Sequence, residues 1–424
     1  MRSVIVAGLA ALAGSAGSLQ AQRPVPIPPR LVEDVRYLAD DRLGGRLTGS
    51  PGADSAAEYI ARRFAEVGLQ PGRGGWFQEF TVSADAPAVR GRAAGPMRGR
   101  NVIGVLPGRD PVLRREAVIV GAHYDHLGSG NIGSLDPGSS GKVHNGADDN
   151  ASGTAALIHI AKQLSAAPPL RSIIFIAFSG EELGLIGSEH YVKDPLYGLE
   201  QTVAMINLDM VGRMRDRRLI VYGTATATEF PALLDSLNWY QGFELKKQGD
   251  GYGPSDQSSF YNARRPVLHL FTDLHPDYHR ATDDWDKINF EGMARVIDFT
   301  AGLAAALGGR TTALTFVAVP ASHGTTLPGT TAATPGYGAY LGSIPDMTST
   351  PGGVRISGVR AESPAAKAGL LAGDVITRIG DHDVPDLQAM TNALRAYKAG
   401  DTTAIVVRRG ADTLTLQVTF GTRG

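Results

Sequence analysis

Five short segments of this sequence carry His, Asp or Glu beside apolar runs, at positions that could hold a metal ion. Their acidic and imidazole residues are His123, Asp125, Asp148, Asp149, Glu181, Glu182, Asp209 and His279. Burying such side chains is costly unless a cation or a proton satisfies them. One such segment could be a solvated loop, but five of them predict a metal site.

The elements that would position these residues are apolar runs typical of interior parallel strands, at residues 116–121, 172–178, 202–208 and 266–271. Strands covered on both faces have nearly continuous apolar sequences. Open parallel sheets bind ligands outside the carboxyl ends of their strands. The fifth segment, residues 145–153, opens a helical pattern through about Leu164. We therefore expect all five segments at one edge of a sheet.

The fold class predicted from this alternation of strands and helices is α/β, with a mixed, mostly parallel central sheet flanked by helices. Residues 31–69 have helical spacing and precede predicted strands at residues 76–82 and 101–106. The alternation continues to about Leu307.

The composition changes after Gly308. Residues 309–336 are rich in Thr, Ala, Gly and Pro, which is typical of a linker. Residues 337–424 form a second unit of short strands, with a predicted helix near residues 387–398.

Charge and cysteine content exclude some functions. The formal net charge is −1, so a nucleic-acid partner is not indicated. The sequence has no Cys, so any metal must be held by His and carboxylates. Residues 1–21 are typical of a cleaved signal peptide, which predicts a periplasmic or secreted protein without a stable membrane span.

The predicted metal ligands are two imidazoles and three carboxylates, from His123, Asp148, Glu182, Asp209 and His279. Zinc accepts both ligand types, and one catalytic zinc needs only three protein ligands and a water. The set is large enough for two ions about 3.5–4 Å apart that share one carboxylate. Glu181 precedes a ligand, so it can face a metal-bound water without binding the ion, as a general base would.

The segments at residues 123–125, 146–150, 180–182, 207–210 and 278–279 resemble the co-catalytic dizinc aminopeptidases of the bacterial leucyl aminopeptidase type. The resemblance spans residues 30–308 and includes the stretches 45–52 and 253–256. It implies the zinc exopeptidase fold, which is phosphorylase/hydrolase-like, and two Zn²⁺ per chain. In this family pattern, His123 and Asp209 would bind one zinc, Glu182 and His279 would bind the other, and Asp148 would bridge them.

The same resemblance implies catalytic roles for three other residues. Glu181 would be the base and then the acid that protonates the leaving amine. Tyr278 would help to stabilise the oxyanion, and Asp125 would orient His123 through the other ring nitrogen. The resemblance also places a cis peptide bond between Asp148 and Asp149.

Several further polar residues are given structural roles. We expect His126, His144, His159 and His190 to be surface or packing residues, with no carboxylate partner indicated for His159. Asp256 is a weaker candidate for supporting the site, because Gln257 follows it where the family frequently has His. Asp283 and Asp284 are expected to brace the loop after His279.

The segments at residues 339–344 and 363–376 resemble PDZ domains of bacterial envelope proteases. The resemblance implies a small β-sandwich or barrel with helices that binds an extended C-terminal peptide by strand addition. Leu341, Gly342 and Ser343 would form the carboxylate-binding loop. Tyr340 and Ser343 depart from the usual loop pattern, which leaves open a packing domain that binds no peptide.

The function predicted from these features is a secreted or periplasmic zinc aminopeptidase whose partners are peptides with a free N-terminus. A carboxypeptidase remains an alternative, since Arg264 and Arg265 could recognise a carboxylate. A glutaminyl cyclase on the same scaffold would use one zinc and release ammonia. A third alternative is an inactive peptidase-fold protein that binds peptides through its PDZ domain.

Overall fold

The computed structural model of the chain describes residues 25–84, 95–130, 133–136, 141–251, 255–319, 339–345, 352–359, 363–385, 389–390, 393–394 and 396–421. The predicted signal peptide and residues 253–254 lie outside these ranges. In the described ranges, no helix has both the length and the apolar character needed to cross a bilayer. Two β-sheets organise the described chain.

The larger sheet has nine strands, in the order β1-β3-β5-β4-β6-β9-β7-β8, with β2 paired to β3. Their bounds are Gln70–Pro71 (β1), Phe77–Val82 (β2), Met97–Leu106 (β3), Ala117–His123 (β4), Ser172–Phe178 (β5), Thr202–Leu208 (β6), Arg218–Tyr222 (β7), Glu244–Lys247 (β8) and Val267–Phe271 (β9). The four central strands β5, β4, β6 and β9 are parallel, whereas β3 and β7 pair antiparallel to this group. The predicted fold class is thus confirmed.

In the described ranges, seven α-helices accompany this sheet. Their bounds are Leu31–Leu38 (α1), Pro51–Glu66 (α2), Gly153–Ser165 (α3), Ile186–Lys193 (α4), Phe230–Gln241 (α5), Gln257–Asn262 (α6) and Phe290–Gly309 (α7). Helices α1, α2, α3, α5 and α7 share one hydrophobic core with the sheet, and α4 and α6 contribute to a separate core. The sheet is therefore covered on both faces, as its apolar strands require.

Strand β5 shows how its sequence builds both layers. Ile173 and Phe175 are buried in the core shared with α3 and α7, whereas Ile174 and Phe178 are buried in the core shared with α4 and α6. Side chains of successive strand residues point to opposite faces, so an unbroken apolar run supplies both cores. Full burial of such a side chain contributes about 1.5–3 kcal/mol.

The helix predicted over residues 31–69 is wrong in one respect, because it is two helices separated by a loop. Helix α2 begins after Ser50, whose side chain accepts a hydrogen bond from the Ala53 N–H. Gly44, Gly45 and Arg46 have positive φ values of 54°, 74° and 48°, which a helix does not allow. This loop carries side chains that reach the sheet edge, as described below.

The chain after α7 first stays on the larger unit. Residue Phe316 forms a β-bridge with Ala227, and the Tyr261 hydroxyl donates to the Val319 carbonyl at 2.8 Å. The start of the predicted linker is therefore packed against this unit. The boundaries of the domains stay predictions.

Among the described residues of the second unit, the smaller sheet has six strands, in the order β10-β11-β12-β14-β15, with β13 paired to β12. Its elements are Ser343–Pro345 (β10), Val354–Val359 (β11), Pro364–Lys367 (α8), Val375–Ile379 (β12), His382–Asp383 (β13), Thr402–Arg409 (β14) and Asp412–Thr419 (β15). Leu341, Ile356, Ile376 and Ile405 belong to its separate apolar core.

Candidate metal centre

The candidate site lies at the carboxyl ends of the four central parallel strands. Strand β4 ends at His123, and Asp209 directly follows β6. Glu182 lies in the loop after β5, and His279 lies in the loop after β9. Because these strands are parallel neighbours, their following residues meet at one edge, as the sequence predicts.

Asp149 is the carboxylate at the centre of this cluster. Its Oδ1 lies 3.3 Å from His123 Nε2, and its Oδ2 lies 3.1 Å from His279 Nε2. His123 Nε2 is also 3.4 Å from Asp209 Oδ1, and His279 Nε2 is 3.3 Å from Glu182 Oε2. Each oxygen of Asp149 thus faces one histidine that also contacts a second carboxylate.

The structure corrects the predicted central residue by one position. Asp148 Oδ1 accepts hydrogen bonds from the Gly212 N–H at 2.6 Å and the Ser152 hydroxyl at 2.9 Å, and Asp148 Oδ2 lies 3.2 Å from His275 Nε2. Its oxygens therefore brace neighbouring loops, and Asp149 occupies the place predicted for Asp148. The cis peptide bond is likewise one residue later, between Asp149 and Asn150.

The backbone around Asp149 is held by an aspartate far away in the chain. Asp283 Oδ2 accepts hydrogen bonds from the N–H groups of Asp148 and Asp149, at 2.9 and 3.1 Å. Asp284 Oδ1 accepts from the Asn145 side chain at 3.0 Å. These two residues brace the loop that carries Asp149, rather than only the loop after His279 as the sequence suggested.

The buried carboxylates of the cluster raise the pKa values of neighbouring groups, so the cluster favours the binding of protons or cations. Burial raises the pKa of Glu181 well above its usual range, and Glu182 and Asp209 raise it further against the opposing effect of His123. Burial lowers the pKa of His279, but Glu182 and Asp149 outweigh it and raise that pKa to about 10. Imidazoles coordinate metals only when neutral, so a bound divalent cation would replace the protons that these groups otherwise attract.

The residues present fit a pair of divalent cations. His123, Asp149 and Asp209 form one buried group that could hold an ion, and Asp149 and Glu182 belong to a second such group with His126. All donors are imidazole nitrogens or carboxylate oxygens, which suit zinc.

Asp125 supports the cluster differently from the prediction. His123 Nδ1 lies 3.1 Å from the Asp125 backbone carbonyl, whereas the nearer carboxylate oxygen is 3.8 Å away. The Asp125 carboxylate accepts from the Glu181 N–H at 3.2 Å and from the Thr48 hydroxyl at 2.9 Å. The carbonyl of Asp125 therefore orients His123, and its side chain fixes the loop of Glu181.

Arg46 is a buried support that the sequence analysis did not single out. Its guanidinium donates to the carbonyls of Leu38, Tyr124 at 2.8 Å, Asn145 at 2.6 Å and Gly146 at 3.0 Å. It ties the end of β4 to the loop that carries Asp149. The only sequence signal was its place in the stretch 45–52, which resembles the family.

Two of the histidines predicted as packing or surface residues have buried carboxylate partners. His126 Nδ1 lies 2.9 Å from Glu182 Oε1, and His159 Nε2 lies 2.8 Å from Asp34 Oδ2. Asp34 is 125 positions from His159 in sequence, so no local pattern could reveal the pair. His144, in contrast, contacts the Ser134 hydroxyl at 2.9 Å.

The remaining predicted site residues lie near the cluster or in the smaller unit. The Tyr278 ring stacks on His279 with centroids 4.0 Å apart, and its oxyanion role stays a prediction. Asp256 is fully buried, and burial, the largest cause, raises its pKa to about 7. In the smaller unit, Leu341 is buried, Gly342 has a φ of 80° and Ser343 begins β10.

Comparison with known proteins assigns both units. Residues 101–304 match the profile of peptidase family M28, and residues 339–420 match that of the PDZ domain. The chain therefore contains a region of peptidase family M28, followed by a PDZ domain. Both suspected resemblances are confirmed.

Curated relatives include two bacterial enzymes. The chain is 28% identical over 275 residues to leupeptin-inactivating enzyme 1 of Streptomyces exfoliatus, covering 62% of this chain and 53% of the relative. It is 30% identical over 210 residues to aminopeptidase YwaD of Bacillus subtilis, covering 47% and 42%. The chain thus spans about half the length of these curated relatives.

Solved structures share the fold. A zinc aminopeptidase from Bacillus subtilis aligns with a TM-score of 0.51 at 18% identity, covering 66% of this chain and 95% of that one. A glutaminyl cyclase from Fimbriiglobus ruber aligns with a TM-score of 0.55 at 22% identity, covering 67% and 96%. Proteins named for two different activities therefore share this scaffold, and the fold alone does not distinguish them.

Proposed function

We propose that this chain is a zinc-dependent aminopeptidase that removes N-terminal residues from peptides and binds two zinc ions. The observation that carries the proposal is the position of Asp149, whose two oxygens each face a different histidine at 3.3 and 3.1 Å. A carboxylate shared between two His-carboxylate pairs is what a two-ion centre needs. The similarity to proteins named as aminopeptidases supports this choice.

Four residues besides Asp149 would complete the centre. His123 and Asp209 would hold one ion, and His279 and Glu182 would hold the other, in agreement with their contacts in the structure. When bound, zinc supplies Lewis acidity toward water and toward the scissile carbonyl. The excess of buried carboxylates around the centre would favour binding of a substrate that has a free amine.

Glu181 would move the proton. It is buried, and its pKa is raised well above the usual range by burial and then by Glu182 and Asp209. A carboxyl group with a raised pKa can take a proton from water and then deliver it to the leaving amine. Its backbone N–H is fixed by Asp125 Oδ1 at 3.2 Å, which positions the side chain without using it as a ligand.

The test combines metal analysis with a panel of aminoacyl-nitroanilides. We expect two zinc ions per chain, cleavage of substrates with a free amine and no cleavage of acetylated peptides. Replacing Glu181 by Gln should leave the metal content unchanged and reduce kcat by about 10²–10⁴-fold, the usual contribution of a general base. A matched control, Glu200→Gln, changes a glutamate in the short turn Leu199–Gln201 before β6 and should leave kcat unchanged.

Other results would select other functions. Near-normal turnover of Glu181→Gln would refute the assigned base. Cleavage of acetylated peptides from the C-terminus would indicate a carboxypeptidase. One zinc per chain together with ammonia release from N-terminal Gln would indicate a glutaminyl cyclase. A folded protein that binds no metal and turns over no substrate would indicate a binding protein.

We also propose that the PDZ domain binds the extended C-terminus of a peptide at Leu341, Gly342 and Ser343. An ideal Cβ on Gly342 would lie 2.3 Å from Ser363 Cβ, so this loop accepts only glycine in its present form. Calorimetric titration with a carboxyl-terminated peptide library and its amidated counterparts tests the idea. Equal binding of both would exclude carboxylate recognition.

We propose in addition that the protein is exported to the periplasm or the medium after cleavage of residues 1–21. The support is the sequence alone, with Arg2 before an apolar stretch and Ala21 at the expected cleavage point. N-terminal sequencing of the protein recovered from cell fractions tests it. A cytoplasmic protein that keeps its initial segment would contradict the proposal.

A further inference from the structure

We propose that His126 is a positioning residue for the metal position formed by His279 and Glu182. It would hold Glu182 through a hydrogen bond from Nδ1. The inference rests on the proposed two-ion centre. His126 Nδ1 lies 2.9 Å from Glu182 Oε1 and 3.8 Å from Asp149 Oδ2. The imidazole of His279 lies against the other carboxylate oxygen of Glu182, Oε2.

The two oxygens of Glu182 have different neighbours, which divides their work. Oε1 faces His126 Nδ1 at 2.9 Å, and Oε2 lies 3.3 Å from His279 Nε2. A proton on Nδ1 of His126 occupies Oε1 and leaves Oε2 for an ion shared with His279. His126 would therefore make Glu182 a one-oxygen ligand with a fixed direction.

The His126 ring is held tightly in this orientation. The residue is fully buried, and its ring meets that of His279 edge to face, with centroids 5.8 Å apart at 76°. An ideal Cβ on Gly146 would lie 2.4 Å from two atoms of the His126 ring, so the loop before Asp149 passes directly against it. Close packing on the ring therefore prevents it from turning away from Glu182.

His126 belongs to a group that could hold an ion, but its Nδ1 lies 3.8 Å from Asp149 Oδ2, whereas His279 Nε2 lies 3.1 Å from the same oxygen. The geometry therefore favours His279 as the ligand and His126 as a hydrogen-bond donor. A ligand role for Nδ1 would break its 2.9 Å contact with Glu182 and would leave Oε1 without that donor. Residues that hydrogen-bond to metal ligands fix the orientation of those ligands, and replacing them typically costs 10–100-fold in metal affinity. Loss of the His126 donor should therefore weaken one ion position and spare the other.

The experiment compares two substitutions of His126 in the full-length protein that differ in whether they keep a hydrogen-bond donor. His126→Asn keeps an N–H donor close to the position of Nδ1, whereas His126→Leu fills the space without a donor. Zinc affinity is measured for each binding step by competition with a chromophoric chelator. We expect His126→Leu to weaken one step by about 10–100-fold, and His126→Asn to stay within about threefold of the parent protein.

The control variant is His190→Leu, which changes a histidine on α4 whose ring packs near Phe80 with centroids 5.4 Å apart. It should leave both zinc affinities unchanged. Equal affinities for His126→Asn and His126→Leu would overturn the proposal. So would a cobalt-substituted His126→Asn protein whose visible spectrum shows a lost nitrogen ligand, because His126 would then bind the ion itself.

A second measurement does not depend on a variant that folds. Nitrogen-15 NMR of the zinc-loaded parent protein should show His126 with a proton on Nδ1, and a metal-bound or unprotonated Nδ1 would refute the proposal. The two proposals fail separately. A parent protein that binds fewer than two ions contradicts the proposed function. If the parent protein binds two ions and His126→Leu has unchanged zinc affinities, only the role of His126 is contradicted.

Discussion

The two units of this chain differ in what they bury. In the peptidase domain, Asp149, Glu181, Glu182 and Asp209 are buried together at one sheet edge. In the described part of the PDZ domain, the buried polar residues are Ser363 and Asp374. Both have local partners: the Ala366 N–H donates to the Ser363 hydroxyl oxygen at 3.2 Å, and Arg409 Nε donates to Asp374 at 2.7 Å.

This contrast indicates that the proposed dependence on metal ions concerns the peptidase domain and not the PDZ domain. A concentration of buried carboxylates is unfavourable without compensating charge, and the histidines alone compensate it only by taking up protons. The PDZ domain satisfies its buried carboxylate with its own Arg409 and can present backbone groups to a peptide. The buried carboxylates of the first unit would be compensated by the proposed cations, whereas the buried Asp374 of the second unit is compensated by a side chain of the same unit.

The sharpest test of the metal centre compares adjacent aspartates. Asp149→Asn should remove the shared carboxylate, reduce zinc content below two ions per chain and abolish peptidase activity. Asp148→Asn retains an oxygen that can accept from the Gly212 N–H and should keep both ions. Zinc analysis and nitroanilide turnover of both variants check this. Loss of zinc in Asp148→Asn but not in Asp149→Asn would reverse the assignment.

These adjacent aspartates also mark where sequence reasoning ends. The strand-end positions of His123, Glu182, Asp209 and His279 follow from apolar runs that any reader of the sequence can find. Which of two neighbouring carboxylates points inward depends on how their loop is held. That loop is fixed by Asp283, 134 and 135 positions away, through bonds that no local pattern encodes.

The supports of the site were hidden for the same reason. Arg46 lies 78 positions from Tyr124 and 100 from Gly146, whose carbonyls it binds. The sequence around Arg46 suggested a continuous helix, because apolar residues on both sides have helical spacing. Helix α1 already ends at Leu38, and the positive φ values of Gly44, Gly45 and Arg46 belong to the loop in which Arg46 turns inward.

A second prediction concerns a buried ionic network far from the metal centre in the peptidase domain. Asp34 accepts hydrogen bonds from Arg63 at 2.8 and 3.0 Å and lies 2.8 Å from His159 Nε2. Removing one partner of a buried pair typically costs 3–5 kcal/mol, so Asp34→Asn should lower the free energy of unfolding by about that amount. Urea unfolding at pH 7 measures it. As a control, Asp235 forms an exposed ion pair with Lys247 Nζ at 2.7 Å, and Asp235→Asn should change stability by less than about 1 kcal/mol.

The pH dependence of this network has a defined sign. Burial raises the pKa of Asp34, but hydrogen bonds from His159, Arg63 and Tyr59 outweigh it and lower the pKa in the folded chain. The stabilisation is therefore present above the unfolded pKa of about 4 and is lost as the pH falls through the lower folded value. The stability gap between the parent protein and Asp34→Asn should narrow below about pH 4, and a gap independent of pH would contradict this.

Removal of metal should have its smallest effect on the stability of the PDZ domain and a larger one on that of the peptidase domain. An ion present at about 100 times its dissociation constant stabilises a folded domain by about 2.7 kcal/mol, so chelation should destabilise the peptidase domain by at least that much. Trp76, Trp239 and Trp285 are the only tryptophans in the sequence, and they lie in that domain, so their fluorescence follows its unfolding alone.

Hydrogen exchange followed by mass spectrometry gives the other half of the comparison. Peptides from residues 402–419 should keep their protection after chelation, because the paired strands β14 and β15 contain no metal ligand and Asp374 remains bonded to Arg409. Peptides around His123 and Asp149 should lose protection, since the protein must then hold these buried carboxylates with protons alone. Equal loss in both regions would mean that the PDZ domain, too, depends on the cation, and the contrast between the two units would be wrong.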